Sequence, residues 1–243
     1  TRWYISYGPE GAMRSHYRYR VEYDADGNHE RREQDSYYYF DDGAIQSDYH
    51  YDMWYSDHWI WDDTTGEYII ERRQYVDAYG DWYAYDDQDY RRRIGEYDFE
   101  MEKDAAGMIV DYWYRYIRYD LEGTITYKYE IDYQRYADGV YKKYKTHRIY
   151  KDWYTGNKID DYNYKERNEA GILTRESHTK SVYNADGTKI EYYNKNAYYD
   201  DDGNITSHYL DHYKYYDTGK KKWYHEHDIW FSNVYIDGEY VKE

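Results

Sequence analysis

The sequence lacks cysteine, long apolar runs and most of the aliphatic residues that usually fill a protein core. Without cysteine, a disulfide framework and thiolate metal sites are excluded. No apolar run approaches the ~18 residues that a membrane helix needs, so no membrane span is predicted. Leu, Ile, Val and Phe together number 30 of 243 residues. No window keeps the apolar stripe of a 3.6-residue period, and we therefore expect almost no helix.

Acidic residues outnumber basic ones by 50 to 33, which gives a formal net charge of −17. A surface this acidic repels phosphate backbones, so nucleic acid is not an expected partner. Calcium, basic proteins and neutral glycans remain open as partners.

Aromatic residues replace the missing aliphatic ones, with 44 tyrosines and 9 tryptophans. Each such ring buries roughly 150–250 Å² while keeping a polar handle for water. Aromatics at this density can stabilise a sheet whose two faces are both partly wet.

Glycine recurs with a period of about 16 residues, which is the strongest signal in the sequence. The periodic glycines are Gly11, Gly27, Gly43, Gly107, Gly123, Gly139, Gly156, Gly171, Gly187, Gly203 and Gly219. Asp or Asn precedes most of them, as in residues 23–27 (YDADG) and 183–187 (YNADG). Such residues open a hairpin turn by bonding their own backbone, and the glycine takes the left-handed conformation that closes a hairpin with a bulge.

Between the turns, side chains alternate as they do in a strand. After Gly123 one face carries Ile125, Tyr127 and Tyr129, while Lys128 and Glu130 lie on the other. One turn every ~16 residues leaves strands of roughly 10–12 residues and places successive turns at opposite ends. The sequence predicts an all-β protein, a repetitive antiparallel up-and-down meander of long strands. We expect an extended, twisted, single-layer sheet; a closed or two-layer arrangement is the alternative.

The repeats indicate one β-repeat domain over residues 1–243. They are regular in 8–43 and 107–219 and irregular in 44–106, and a terminal hairpin is predicted in 232–243. In the irregular part, Gly66, Gly80 and Gly95 break the period, and residues 85–89 (YDDQD) are interpreted as a turn that lost its glycine.

The turns resemble those of YD-repeat (Rhs-type) proteins. Residues 199–206 (YDDDGNIT) and 119–126 (YDLEGTIT) match the pattern Y-D-x-x-G-x-[LI]-T. Residues 38–43 (YYFDDG) also resemble choline- and glucan-binding wall repeats. Both resemblances imply a secreted repeat protein, located outside the cell or at its surface, and neither transfers a functional residue.

A metal site is predicted for one register of the last long hairpin. If Thr218 and Gly219 form a two-residue loop, His212 lies opposite His225 and diagonal to His227, and three imidazoles meet one zinc, nickel or copper ion. A three-residue loop sets His212 against Tyr224 and scatters the cluster, and solvated surface histidines are then the interpretation.

A calcium loop is the other candidate cofactor site. Residues 22–27 (EYDADG), with Glu33 beyond, nearly match its pattern, although hairpin chemistry explains the same residues. No other cofactor is expected.

Two functions are compatible with these features. The first is an extracellular structural protein, a fibre or surface-layer subunit that self-associates through its sheet edges. The edge residues are Trp3, Ile5, Ile229 and Phe231. The alternative is a polysaccharide-binding module whose exposed Tyr and Trp rows stack on sugar rings. An enzyme is not expected, because no nucleophile–base or metal motif supports one.

Overall fold

The computed structural model describes residues 1–62, 64–216, 218, 220–230, 233–236 and 239–242; for Trp223 and the residues after Tyr224 it describes the backbone alone. None of the described residues is helical, and strands joined by short turns account for most of them. The predicted all-β fold is confirmed.

The chain forms two compact units, Thr1–Thr126 and Tyr127–Glu243. The first unit holds β1 (Arg2–Tyr7), β2 (Met13–Tyr23), β3 (His29–Tyr39), β4 (Ile45–Asp62), β5 (Glu67–Tyr85), β6 (Arg91–Lys103) and β7 (Ile109–Tyr119). Next come β8 (Ile125–Arg135), β9 (Tyr141–Lys151), β10 (Lys158–Arg167), β11 (Leu173–Tyr183), β12 (Lys189–Tyr199), β13 (Ile205–Tyr215) and β14 (Lys221–Trp230). A separate hairpin of β15 (Asn233–Ile236) and β16 (Glu239–Lys242) follows.

Within each unit, consecutive strands lie side by side and antiparallel, which confirms the predicted up-and-down meander. Among the described strands of a unit, the backbone contacts join sequence neighbours, so each unit is a single layer. No large side chain that the structure describes is fully buried. The buried apolar residues are Val76, Ala78, Ile117, Tyr133, Ile149, Ile159, Val182 and Ala197.

The hairpin turn is built the same way in nearly every repeat. In the turn between β2 and β3, Asp24 N–H donates to Asn28 O (3.0 Å) and Gly27 N–H donates to Asp24 O (3.1 Å). The Asp24 carboxylate accepts the N–H groups of Asp26 and Asn28 at 3.0 and 2.8 Å. Gly27 has φ = 83°, and every periodic glycine in the described residues has a positive φ, as predicted. Gly219 lies outside the described residues.

A further β-bulge lies three residues after the turn glycine in most hairpins; the sequence predicted a bulge where the glycine closes the hairpin, and not at this position. Tyr23 pairs with His29 and Glu22 with Arg31, so the ladder skips Glu30, three residues after Gly27. The same position is skipped at Arg14, Gln46, Val110, Lys142, Thr174, Ile190, Thr206 and Lys222. Because side chains alternate along a strand, each skipped residue exchanges the faces of the residues beyond it.

One hairpin has a longer loop in place of the bulge. Between β9 and β10, Asp152 N–H donates to Asn157 O, and Gly156 N–H reaches back four residues to Asp152 O. This loop has one residue more than the others, and the β9–β10 register runs without a shift. The extra residue of the hairpin therefore lies in the turn, which accounts for the 17-residue step to Gly156.

The irregular part, 44–106, contains the two longest strands, β4 with 18 residues and β5 with 19. Gly80 and Gly95 lie within strands, under aromatic rings. A Cβ on Gly80 would lie 2.6 Å from Cε1 of Tyr97, and one on Gly95 would lie 2.9 Å from Cε3 of Trp82. These glycines make room for rings, so they fall out of the turn period.

The turn predicted at residues 85–89 is confirmed. Asp86 N–H donates to Tyr90 O and Asp89 N–H donates to Asp86 O, both at 3.0 Å. Asp89 takes the place of the glycine with φ = 59°, and it is the one non-glycine residue with positive φ in the described part of the chain.

Replacing Gly123 with Val should lower the free energy of unfolding by ~1–3 kcal/mol, because a β-branched residue is strained at positive φ. No heavy atom lies within 4 Å of a Cβ at this site, so the cost is purely conformational. Urea denaturation measures it. Gly123→Asn is the control, since Asn tolerates this conformation and should cost clearly less. Equal stability of Gly123→Val and wild type would contradict the left-handed turn.

Replacing Asp89 with Gly should raise the free energy of unfolding by up to ~1 kcal/mol, because the left-handed strain of Asp89 is removed. The neighbouring change Asp87→Gly is the control and should be neutral or destabilising, since Gly only adds freedom to the unfolded chain there. A lower stability of Asp89→Gly than of Asp87→Gly would count against the strained turn.

Candidate functional surfaces: two unlike faces, an open edge and an aromatic extension

The two faces of the first unit carry different chemistry. One cross-strand row on what we name the charged face reads Arg18, Asp35, His50, Tyr79, Asp98 and Arg115. A row on the opposite face, the tyrosine face, reads Tyr19, Gln34, Tyr51, Ala78, Phe99 and Tyr114. The alternation of strand side chains separates the two sets.

Ion pairs hold the charged face together across the strands. Asp35 is only 4% exposed, and it accepts hydrogen bonds from Arg18 Nε (2.5 Å) and lies 2.6 Å from His50 Nδ1. Asp52 is likewise buried and accepts from Arg31 at 2.6 and 3.1 Å. Since a buried carboxylate is costly without partners, these arginines allow acids to occupy a sheet interior.

Ring packing holds the tyrosine face. The Tyr97 ring lies over Gly80, 6.0 Å from the Tyr49 ring and 5.5 Å from the Trp82 ring. Burial raises the pKa of the Tyr97 phenol well above its usual value. Its buried hydroxyl has no hydrogen-bond partner among the described residues. The central rings of this face are therefore packed against one another.

Strand β1 is the open edge of the first unit. It lies at the end of the strand order and, among the described strands, pairs with β2 alone. Trp3 is 56% exposed and Ile5 49%, and Tyr4 and Tyr7 are exposed as well. Arg2 is the only charged residue of the strand, so the edge lacks the charges that usually block strand pairing.

The other predicted edge residues are less completely described. Ile229 lies in β14, at the end of the strand order in the second unit, and its side chain is not described. Phe231 lies outside the described residues.

The β4–β5 hairpin extends beyond both of its neighbours. The pairing of β3 with β4 ends at Trp54, and that of β6 with β5 ends at Gln74. We name residues 55–73 the aromatic extension. Its register places Trp59 opposite Ile70 and Trp61 opposite Tyr68, on one face. All four are more than half exposed. The sequence signal was the alternation of Trp59 and Trp61 before a Thr-Thr-Gly turn, and it was not recognised.

The charged face also contains a cleft of about 340 Å³ between β4 and β7. Two adjacent cross-strand rows line it: Trp54, Tyr75, Glu102 and Asp111, and next to them Asp77, Glu100 and Trp113. Sequence analysis missed this site as well, because its residues come from four strands and meet only through the register.

Of the predicted histidine cluster, the structure describes the pairing of the backbone and the side chain of His212. His212 lies opposite His225, and His227 lies opposite Leu210. Neither of the two predicted loop lengths explains this register, because the bulge at Lys222 shifts the pairing by one residue. His212 Nε2 lies 2.8 Å from Glu191 Oε1. The side chains of His225 and His227 are not described, so the metal site stays a prediction.

The candidate calcium loop uses its main acid internally, because the Asp24 carboxylate accepts hydrogen bonds from Asp26 and Asn28 of its own turn. Across the described residues, no group of three or more His, Cys, Asp or Glu side chains is arranged to hold a metal ion.

Comparisons with known proteins show no family for this chain. No family model matches it, and no curated protein matches it either. One solved structure is similar at a low level, a chain of the Photorhabdus luminescens Tc holotoxin pore. The identity is 8% and the TM-score 0.13, and the match covers 91% of this chain and 17% of that one. The YD-repeat resemblance stays a prediction. In the described residues there is no helix long and apolar enough to cross a membrane.

In the second unit, Glu130 is a buried carboxylate that two lysines stabilise. Glu130 is 8% exposed, and both Lys128 and Lys145 donate to its carboxylate. Burial alone would raise its pKa, but the hydrogen bonds and charges of the two lysines outweigh burial and lower the pKa to about 2.

Acidification from pH 5 to pH 2 should therefore weaken the fold. The pKa of Glu130 is lower in the folded state than in the unfolded one, so its contribution is present above pH ~4.5 and is lost as pH falls towards 2. Glu130→Gln should flatten the pH dependence of the unfolding free energy by ~2 kcal/mol over this range. Glu122→Gln, in an exposed turn, is the control and should leave the slope unchanged. Parallel curves for wild type and Glu130→Gln would contradict the lysine pairing.

Proposed function

We propose that this protein is a non-enzymatic structural protein of the cell surface or the extracellular space, a fibre or surface-layer subunit that assembles through its sheet edges. The observation that supports this proposal best is the open edge of β1. Its outer backbone groups have no neighbouring strand in the described part of the chain, and its side chains are exposed and almost uncharged. Native proteins usually protect such an edge.

The complementary edge is β14, the last strand of the order in the second unit. Pairing of β1 of one copy with β14 of the next joins two unlike edges. Such a contact is heterologous, so it generates rings or open filaments. The hydrogen bonds would continue the pattern by which each internal strand already pairs on both sides.

Polysaccharide binding is the second candidate, and the aromatic extension favours it. Trp59, Trp61 and Tyr68 present exposed rings on one face, 69%, 54% and 65% exposed, away from the packed rows of the tyrosine face. Flat exposed rings suit stacking on sugar rings, and a neutral glycan is not repelled by the net charge of −17.

Edge assembly is tested with a pair of proline variants, Tyr4→Pro and Ile5→Pro. Successive N–H groups of a strand point to opposite sides, so one variant removes an outward donor and the other a donor to β2. We expect wild type to form filaments or rings as the protein concentration rises. The variant that lacks the outward-pointing N–H should stay monomeric, with unchanged stability. Sedimentation and negative-stain imaging measure this.

Charge variants provide the control for edge assembly. Ile5→Lys should block growth by charging the edge, whereas Ile205→Lys, an equally apolar and 40% exposed site on an internal strand, should not. Wild type that remains monomeric at high concentration would overturn the assembly proposal. A closed β1–β1 dimer would overturn the head-to-tail arrangement.

Glycan binding is tested by titration with cellohexaose. Trp59→Ala or Trp61→Ala should weaken binding ~2- to 10-fold each, as expected for losing one aromatic contact. Trp153→Ala is the matched control, because Trp153 is 93% exposed in the β9–β10 turn and lies outside the extension. Equal binding by all three variants would remove the extension as the glycan site.

A further inference from the structure

The cleft on the charged face combines aromatic walls with carboxylates. Trp54 and Tyr75 stack at 5.5 Å with their planes 18° apart, and form one wall. Trp113, two strands away from Tyr75, forms the other. All three rings are half-buried, which holds them in place while leaving part of each open to the cleft. The volume of about 340 Å³ suits a small ligand.

The acids in and beside this cleft outnumber the available cations. Two of the three arginines nearby are already engaged by carboxylates at its margin, Arg31 by Asp52 and Arg115 by Asp98. The third, Arg73, is shared between Glu71 and Glu102.

Two carboxylates inside the cleft have no such arginine. Asp77 and Glu100 lie opposite each other on β5 and β6, and neither forms an ion pair with a described residue. Burial and the neighbouring carboxylates Asp52 and Asp98 raise the pKa of Asp77, and the nearby His50 offsets this rise only in part. The site is therefore short of positive charge.

The arrangement favours an organic cation over a metal ion. The cleft acids are not among any group of three described side chains that could ligate one ion. A compact ammonium group needs no such geometry, because it is stabilised by aromatic faces within ≈ 6 Å and by carboxylates at somewhat longer range. The neighbouring Trp113 ring already lies 5.5 Å from the Arg115 guanidinium, so its environment is compatible with a cation.

We propose that the cleft lined by Trp54, Tyr75 and Trp113 is a binding site for a small organic ammonium ion, held between the rings with Asp77 and Glu100 as counter-charges. This site lies apart from the open edge of β1 and from the aromatic extension, and it adds a ligand-binding role to the assembly proposed above.

The test is calorimetric titration of the full chain with tetramethylammonium chloride at constant ionic strength. Neopentyl alcohol, which has similar size and no charge, and Mg²⁺ are titrated in parallel. We expect saturable binding of tetramethylammonium. Binding should shift the indole signals of Trp54 and Trp113 in NMR spectra, and the variants Trp54→Phe and Trp113→Phe assign these signals. Trp113→Leu should raise Kd ~2- to 30-fold, which corresponds to the usual range for one cation–π contact.

Asp77→Asn and Glu100→Gln should also raise Kd, and both should fold, because they replace carboxylates that the structure gives no ion pair. Trp153→Leu and Glu122→Gln, outside the cleft and outside the aromatic extension, are the matched controls. Three results would overturn the proposal: equal binding of neopentyl alcohol, competition by Mg²⁺ at equimolar concentration, or an unchanged Kd in Trp113→Leu and Asp77→Asn.

Discussion

Every stabilising feature of this protein depends on the absence of a second layer within each unit. A side chain on a single-layer sheet always has water on one side, and indeed no large described side chain is fully buried. The hydrophobic gain per residue is therefore limited, and cross-strand neighbours must supply what a packed core usually does. Tyrosine suits this position because its ring packs against the neighbouring strand while its hydroxyl stays in water.

The same constraint explains why the two faces can differ so strongly. On the charged face, water at the margin and arginine partners lower the cost of burying Asp35 and Asp52. On the tyrosine face, Gly80 and Gly95 have no side chain, so Tyr97 and Trp82 can approach the backbone closely. Charge pairs and ring packing are thus two solutions to one shortage of buried area.

The all-β fold, the meander and the turn glycines could be predicted from the sequence, because each depends on residues near one another in the chain. Asp24 and Gly27 form their turn without help from another strand. The bulges three residues beyond the turn glycines could not be predicted, since Glu30 and Lys222 are ordinary strand residues and only the pairing of the strands reveals that they are skipped. For the same reason, neither of the two loop lengths considered from the sequence accounts for the pairing of His212 with His225.

The candidate sites likewise divide into those that nearby residues predict and those that depend on the pairing of distant strands. The edge residues Trp3 and Ile5 were predictable, because the first strand of a meander has one neighbour. The cleft was not, because Trp54, Asp77 and Trp113 meet only once three registers are fixed. The aromatic extension was hidden by the irregular glycine spacing, and it depends on β4 and β5 being longer than the strands beside them.

A sheet held together mainly by contacts between neighbouring strands is least stabilised where a neighbouring strand is missing. By this argument β1, with one partner strand, and residues 55–73, with none on their outer sides, open at a lower free energy than the strands between them. These two segments also expose the largest apolar side chains of the first unit, including Trp3, Trp59 and Tyr68. A partner at either place would supply both the missing neighbour and the missing burial. Binding there would therefore stabilise the fold more than binding over the centre of a face, where every strand already has two neighbours.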